Sequence, residues 1–103
     1  MTGSAATVMP RAVTRVRIPG LLRSYTGGAE TVDVTLAGAV PSVADALAAL
    51  DARFPGLAFR LVDEQRAIRP HIKLFVDRAI ARDLATPIPP GAELMIVGAL
   101  SGG

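Results

Sequence analysis

Hydrophobic periodicity along this chain switches between two values in a fixed order, and that order leaves few folds open. Residues Val13 to Ile18 place Val16 and Ile18 on one face and Arg15 and Arg17 on the other. Period-two alternation with β-branched residues predicts a half-buried strand. Pro19-Gly20 stops it, Thr26-Gly27-Gly28 marks a loop, and Thr31 to Leu36 alternates again with Val32, Val34 and Leu36 sharing a face. This predicts a second strand and a hairpin. The period then becomes helical. Val43, Ala46, Leu47, Leu50 and Phe54 form an apolar stripe, Ser42 and Asp45 stand at N-cap and N3 spacing, and Pro55-Gly56 ends the run. One amphipathic helix over about Ser42 to Phe54 follows.

The stretch from Leu57 to Pro70 has no sustained period. Leu57, Leu61 and Val62 suit a short helical turn, and Asp63-Glu64-Gln65-Arg66 reads as solvated. Alternation resumes with Ile72, Leu74 and Val76 against Lys73 and Phe75, then Asp77-Arg78 reads as a turn and Ala79 to Ala81 as a short return strand. A proline-rich connection carries the chain to Glu93–Ala99, where Leu94 and Ile96 face one way and Met95 and Val97 the other. Two strands, one helix and further strands imply an α+β domain: a mixed sheet of four to five strands curled around one main helix, the β-grasp architecture. In that arrangement the first and last strands pair in parallel at the centre. The expected organisation is a flexible leader over residues 1–12 and a single domain over 13–103 with an exposed Gly102-Gly103 tail.

At 103 residues, with 50% hydrophobic and 19% charged residues, the chain suits one small folded core. It contains no cysteine, which removes disulfides, thiolate catalysis and cysteine-based metal sites. The net charge is only +2, and the basic residues are scattered among four aromatics, Tyr25, Phe54, Phe59 and Phe75. A nucleic-acid surface would want basic residues clustered with aromatics between them, so no nucleic-acid partner is expected. No apolar run approaches the ~20 residues of a membrane span, and the first eleven residues lack the apolar segment of a signal peptide. A cytoplasmic protein without a membrane partner is the expectation.

The end of the sequence, Ser101-Gly102-Gly103, makes the terminal carboxylate a candidate reactive group, because two glycines without side chains can thread a narrow site on another protein. Ordinary frayed ends look the same, so the rest of the chain must decide.

Several short motifs bear on that decision. They are Val16-Arg17-Ile18-Pro19-Gly20-Leu21-Leu22-Arg23 followed by Thr26-Gly27-Gly28, the helix start Ser42-Val43-Ala44-Asp45-Ala46-Leu47, the strand end Phe75-Val76-Asp77, and Pro90-Gly91-Ala92-Glu93-Leu94 leading to Gly102-Gly103. In these motifs, over about Val13 to Gly103, the chain resembles the ThiS/MoaD-type sulfur carriers of thiamin, molybdopterin and cysteine biosynthesis, which share the ubiquitin fold. The opening is most similar to the carriers that serve cysteine synthesis. Asp77 and Ala92 depart from the family, which often has Asn and Asp at these two turn positions.

The resemblance implies a chemistry. A ubiquitin-activating-type enzyme would adenylate the terminal glycine with ATP, and sulfur would displace AMP to leave a thiocarboxylate that a sulfur-accepting synthase consumes. Gly103 would carry the sulfur and Gly102 would provide clearance. The chain would itself be a carrier and not an enzyme, with no catalytic residue, no metal and no bound cofactor; ATP belongs to the activating partner. Two other readings stay open: a ubiquitin-like modifier conjugated to lysines, and a non-catalytic β-grasp interaction module with an inert tail.

Partner binding needs a surface, and the strand alternation nominates one. With Ile72, Leu74, Val76, Leu94 and Ile96 against the helix, the opposite face shows Lys73, Phe75, Met95 and Val97, with Arg15 and Arg17 nearby. An apolar patch with a basic rim suits docking. Equally, Phe75 and Met95 could simply cover the back of the sheet or pack under the 57–70 loop. The remaining polar residues carry less. His71 lacks a second ligand, Ser101 lacks a histidine partner, Asp63-Glu64 reads as a solvated acidic pair, Gly27-Gly28 lacks the context of a phosphate loop, and Arg66 and Arg69 read as loop charges.

Overall fold

The structure, a computed structural model, describes residues 11–98. The leader before Arg11, and Gly102 and Gly103 with the residues linking them to Gly98, lie outside the described residues.

Five strands form one mixed sheet in the order β2-β1-β5-β3-β4. Strand β1 (Arg11–Arg17) begins two residues before the alternation predicts, because Arg11 and Ala12 still find ladder partners in Ala37 and Leu36 of β2 (Thr31–Ala37). The hairpin loop between them holds a 3-10 turn at Gly20–Leu22 and turns back through Gly27 and Gly28, whose φ values of 67° and 92° suit glycine. Strand β3 (Ile72–Val76) pairs antiparallel with both β4 (Ala79–Ala81) and β5 (Leu94–Gly98). β5 closes the sheet by pairing in parallel with β1 through Val16↔Leu94 and Arg17↔Met95. The strand that ends at Gly98 is thus the central one, as the β-grasp reading requires.

Helix α1 (Val43–Arg53) crosses the inner face. The Ser42 hydroxyl accepts the Asp45 N–H, and the Asp45 carboxylate accepts the Ser42 N–H at 2.7 Å, so the predicted cap closes in both directions. The first two helical N–H groups donate to carbonyls of the proline-rich connection: Val43 to Thr86 at 2.9 Å and Ala44 to Leu84 at 3.0 Å. Donors that a helix start normally leaves to water are satisfied within the fold. Val43, Ala46, Leu47 and Leu50 of α1 are buried against the inward residues of the strands, including Val16, Val34, Leu74, Leu94 and Ile96. Fully burying one such side chain stabilises by about 1.5–3 kcal/mol.

A second, five-residue helix α2 (Leu57–Leu61) forms where the sequence has no sustained period, with Leu57 and Leu61 buried. Beyond it the Asp63 carboxylate accepts the N–H groups of Gln65 at 2.9 Å and Ala67 at 3.0 Å, so Asp63 builds a turn while Glu64 stays exposed. Ala92 closes a turn through its N–H to the Pro89 carbonyl at 3.0 Å, yet its side chain is buried in the core. An aspartate there would bring a charge into that core.

Candidate functional site

The outer face of the sheet takes its character from register. In the row across the sheet, Arg17 of β1 stands beside Met95 of β5, Met95 beside Phe75 of β3, and Phe75 beside Ile80 of β4. The next row along pairs Lys73 with Val97. Phe75 and Met95 are half-buried, Lys73 is exposed, and Val97 and Ile80 are 38% and 39% exposed. Among the described residues no helix covers them, since α1 and the buried side chains lie on the other face.

The sequence places Phe75, Met95, Val97 and Lys73 on one surface, and the structure brings these four together at the centre of the sheet. Arg17 borders them, and Arg15 lies one row further along β1. Both arginines are ion-paired, Arg17 Nε with Glu93 at 3.1 Å and Arg15 Nε with Asp33 at 3.3 Å. These exposed pairs contribute at most about 1 kcal/mol each to stability, but they lower the positive charge of the rim. Among the described residues Lys73 joins no ion pair. The patch is therefore more apolar and less basic than the residue types imply.

One member of this surface is not evident from the sequence reading. Ile80 joins because β4 pairs with β3, and the signal was its placement in Ala79–Ala81 opposite Phe75. Leu21, 39% exposed, comes from the hairpin loop to the opposite, helix-bearing side: its side chain packs at Gly98 beside Ile72, where a β-carbon would lie 2.5 Å from Leu21 Cδ2. The last described residue of β5 is thus pressed against the first loop of the fold. No local pattern marks that contact.

Other polar residues take structural positions. Gly27 and Gly28 form a turn, and His71 is half-buried at the start of β3. Arg69, expected as a loop charge, is instead fixed: its guanidinium lies 4.6 Å from the centre of the Phe59 ring and its Nε–H donates to the Phe59 carbonyl at 2.7 Å. Among the described residues no three His, Cys, Asp or Glu side chains gather as a metal site would require, and no helix is long and apolar enough to cross a membrane.

The sequence matches no family model and no curated protein. Solved structures do match it. A chain of the Amycolatopsis orientalis BexX/CysO complex superposes with a TM-score of 0.76 and 30% identity, over 87% of this chain and 99% of that one. The chain belongs to the ThiS/MoaD-type, ubiquitin-like sulfur carriers and modifiers. Mycobacterium tuberculosis CysO is similar at 27% identity and a TM-score of 0.72, covering 84% of this chain and 99% of that one. Haloferax volcanii small archaeal modifier protein 1 is similar at 25% identity and a TM-score of 0.74, with coverages of 86% and 99%.

Proposed function

We propose that this protein is a sulfur carrier whose terminal Gly103 is activated and sulfurated by partner enzymes, with biosynthesis of the cysteine type ahead of the molybdopterin and thiamin types. The observation that carries the reading is the placement of β5. The strand leading toward Gly102 and Gly103 is the central one, held by β1 on one side and β3 on the other, in a chain 30% identical to one from a CysO-containing complex.

The chemistry is dictated by the carboxylate. Its negative charge repels nucleophiles, and oxide is a poor leaving group. Attack of the Gly103 carboxylate on the α-phosphorus of ATP, held by a ubiquitin-activating-type partner, expels pyrophosphate and forms an acyl adenylate. Hydrosulfide or its enzyme-bound equivalent then attacks the acyl carbon. The acyl–oxygen bond breaks, AMP leaves, a proton is released, and a thiocarboxylate remains for the sulfur-accepting synthase. The chain supplies a reactant and a docking surface, as group carriers do. Phe75, Met95 and Val97 provide that surface's apolar centre, with Lys73, Arg15 and Arg17 at its edge.

Intact mass after co-expression with an activating enzyme, ATP and a sulfide source tests this. A gain of about 16 Da, the exchange of oxygen for sulfur at an activated acyl group, is expected, and deletion of Gly103 must abolish it. An unchanged mass with every cognate partner would sink the carrier reading and leave an interaction module. The similarity to a small archaeal modifier favours one alternative, conjugation to lysines; diglycine adducts on partner lysines would establish it.

A further inference from the structure

Beside the end of β5, on the far side of Leu21, lies an open cleft of about 450 Å³ between the hairpin loop and α2. Tyr25, Phe59 and Leu21 supply its apolar walls, and Arg60, Arg69 and His71 are its basic side chains. Among the described residues no acidic side chain lines it.

Both arginines are held before any ligand arrives. The Arg60 guanidinium lies 5.8 Å from the Tyr25 ring centre, and its Nε–H donates to the Tyr25 hydroxyl at 2.8 Å. Arg69 stacks on Phe59 and donates Nε–H to the carbonyl of that residue, which immediately precedes Arg60. Both guanidinium groups therefore flank one turn of α2. Each spends its Nε–H internally, and among the described residues neither joins an ion pair. What remains is two pairs of Nη donors on planar groups, the geometry that reads carboxylates. Stacking has already removed much of the rotamer freedom that binding would otherwise have to remove.

We propose that this cleft binds an extended acidic peptide segment of a protein partner, with carboxylates on Arg60 and Arg69 and an aliphatic side chain against Leu21 and Phe59. A small inorganic anion would use the two cations and leave the walls bare. Phe59 is 57% exposed, and an exposed aromatic between two arginines has the composition of an interface hot spot. The segment would lie across Leu21, which touches Gly98. Occupancy of the cleft would thus be felt at the root of the tail.

The test is an amide-resolved NMR titration of the full chain with acetyl-Glu-Glu-Leu-Glu-amide. The matched glutamine peptide and inorganic phosphate serve as controls. Shifts are expected at Ser24, Tyr25, Phe59 to Leu61 and His71, reversed by salt. The double variant R60Q/R69Q should weaken the acidic peptide by about tenfold or more. The variant R60K/R69K, which keeps the charge but loses the planar fork, should weaken it by about threefold or more. Retained spectral dispersion reports that each variant is folded. Equal binding of the glutamine peptide, phosphate binding as tight as the peptide's, shifts confined to Arg15, Arg17 and Lys73, or wild-type affinity in R60Q/R69Q would each overturn the proposal.

Discussion

Replacing Arg78 by glycine should make this protein more stable, although it removes a side chain and adds nothing in its place. Strands β3 and β4 are joined by two residues, Asp77 and Arg78, with φ of 48° and 78°, and the pair Val76↔Ala79 closes the loop. Positive φ at both positions suits the right-handed twist of the flanking strands, but it is a conformation that residues with a β-carbon resist. The left-handed conformation costs an L-residue about 1–2 kcal/mol. Glycine removes that cost and returns roughly 0.5–1 kcal/mol through the greater freedom of the unfolded chain. Arg78 is exposed and joins no ion pair among the described residues, so little else is lost. The net is about 0.5–1 kcal/mol in favour of the variant, or about 2–8 °C in Tm for a domain of this size. Asp77→Gly is the contrast. Its carboxylate accepts the Glu93 N–H at 2.9 Å, and losing that charge-assisted bond, worth about 1.5–3 kcal/mol, cancels or outweighs the relief of strain. Thermal unfolding by circular dichroism, with urea midpoints alongside, reads both variants. A lower Tm for R78G, or an equal rise in both, would refute the strain argument.

Two further outcomes concern packing and capping. Ser42→Ala should cost about 1 kcal/mol, seen as a lower urea midpoint at unchanged m; only one N–H and the grip of Asp45 are lost, since Val43 and Ala44 keep their carbonyl partners. Gly98→Ala should cost about 1 kcal/mol by pushing Leu21 aside, and the cost should shrink in the L21A background; a double-mutant cycle that shows simple additivity would mean the close approach is not felt.

The parts of the fold that were legible in the sequence are those whose signal is local. Ile72–Val76 and Ala79–Ala81 appear as the alternation places them, and Ser42 with Asp45 marks the start of α1 because a cap involves residues three apart. The outer surface of Phe75, Met95, Val97 and Lys73 follows from the same parity. What was not legible depends on residues far apart in the chain. The carbonyls of Leu84 and Thr86 satisfy a helix some forty residues earlier, Leu21 meets Gly98, Arg60 finds the Tyr25 ring only once α2 has folded against the hairpin loop, and Arg69 reaches Phe59 only once the chain after α2 turns back. The basic rim was overestimated for a related reason, as Glu93 reaches Arg17 only across the β1–β5 pairing.

The position of β5 has a consequence for the life of the chain before it meets any partner. Synthesis delivers the five strands in numerical order, so the strand that seats between β1 and β3 is made last. Until it emerges, β1 and β3 have no common neighbour, and the nascent sheet exists as two separate hairpins with Leu74 and Val16 unsealed. Pairings between sequence-distant strands form slowly, and such half-built sheets are prone to associate with other chains. A chain cut short before Leu94 therefore lacks the strand that joins the two hairpins and, on the proposed sulfur-carrier function, the glycine that would be activated. If that function holds, folding and the capacity to be activated arrive together, and an activating partner that reads the finished sheet would pass over every truncated copy.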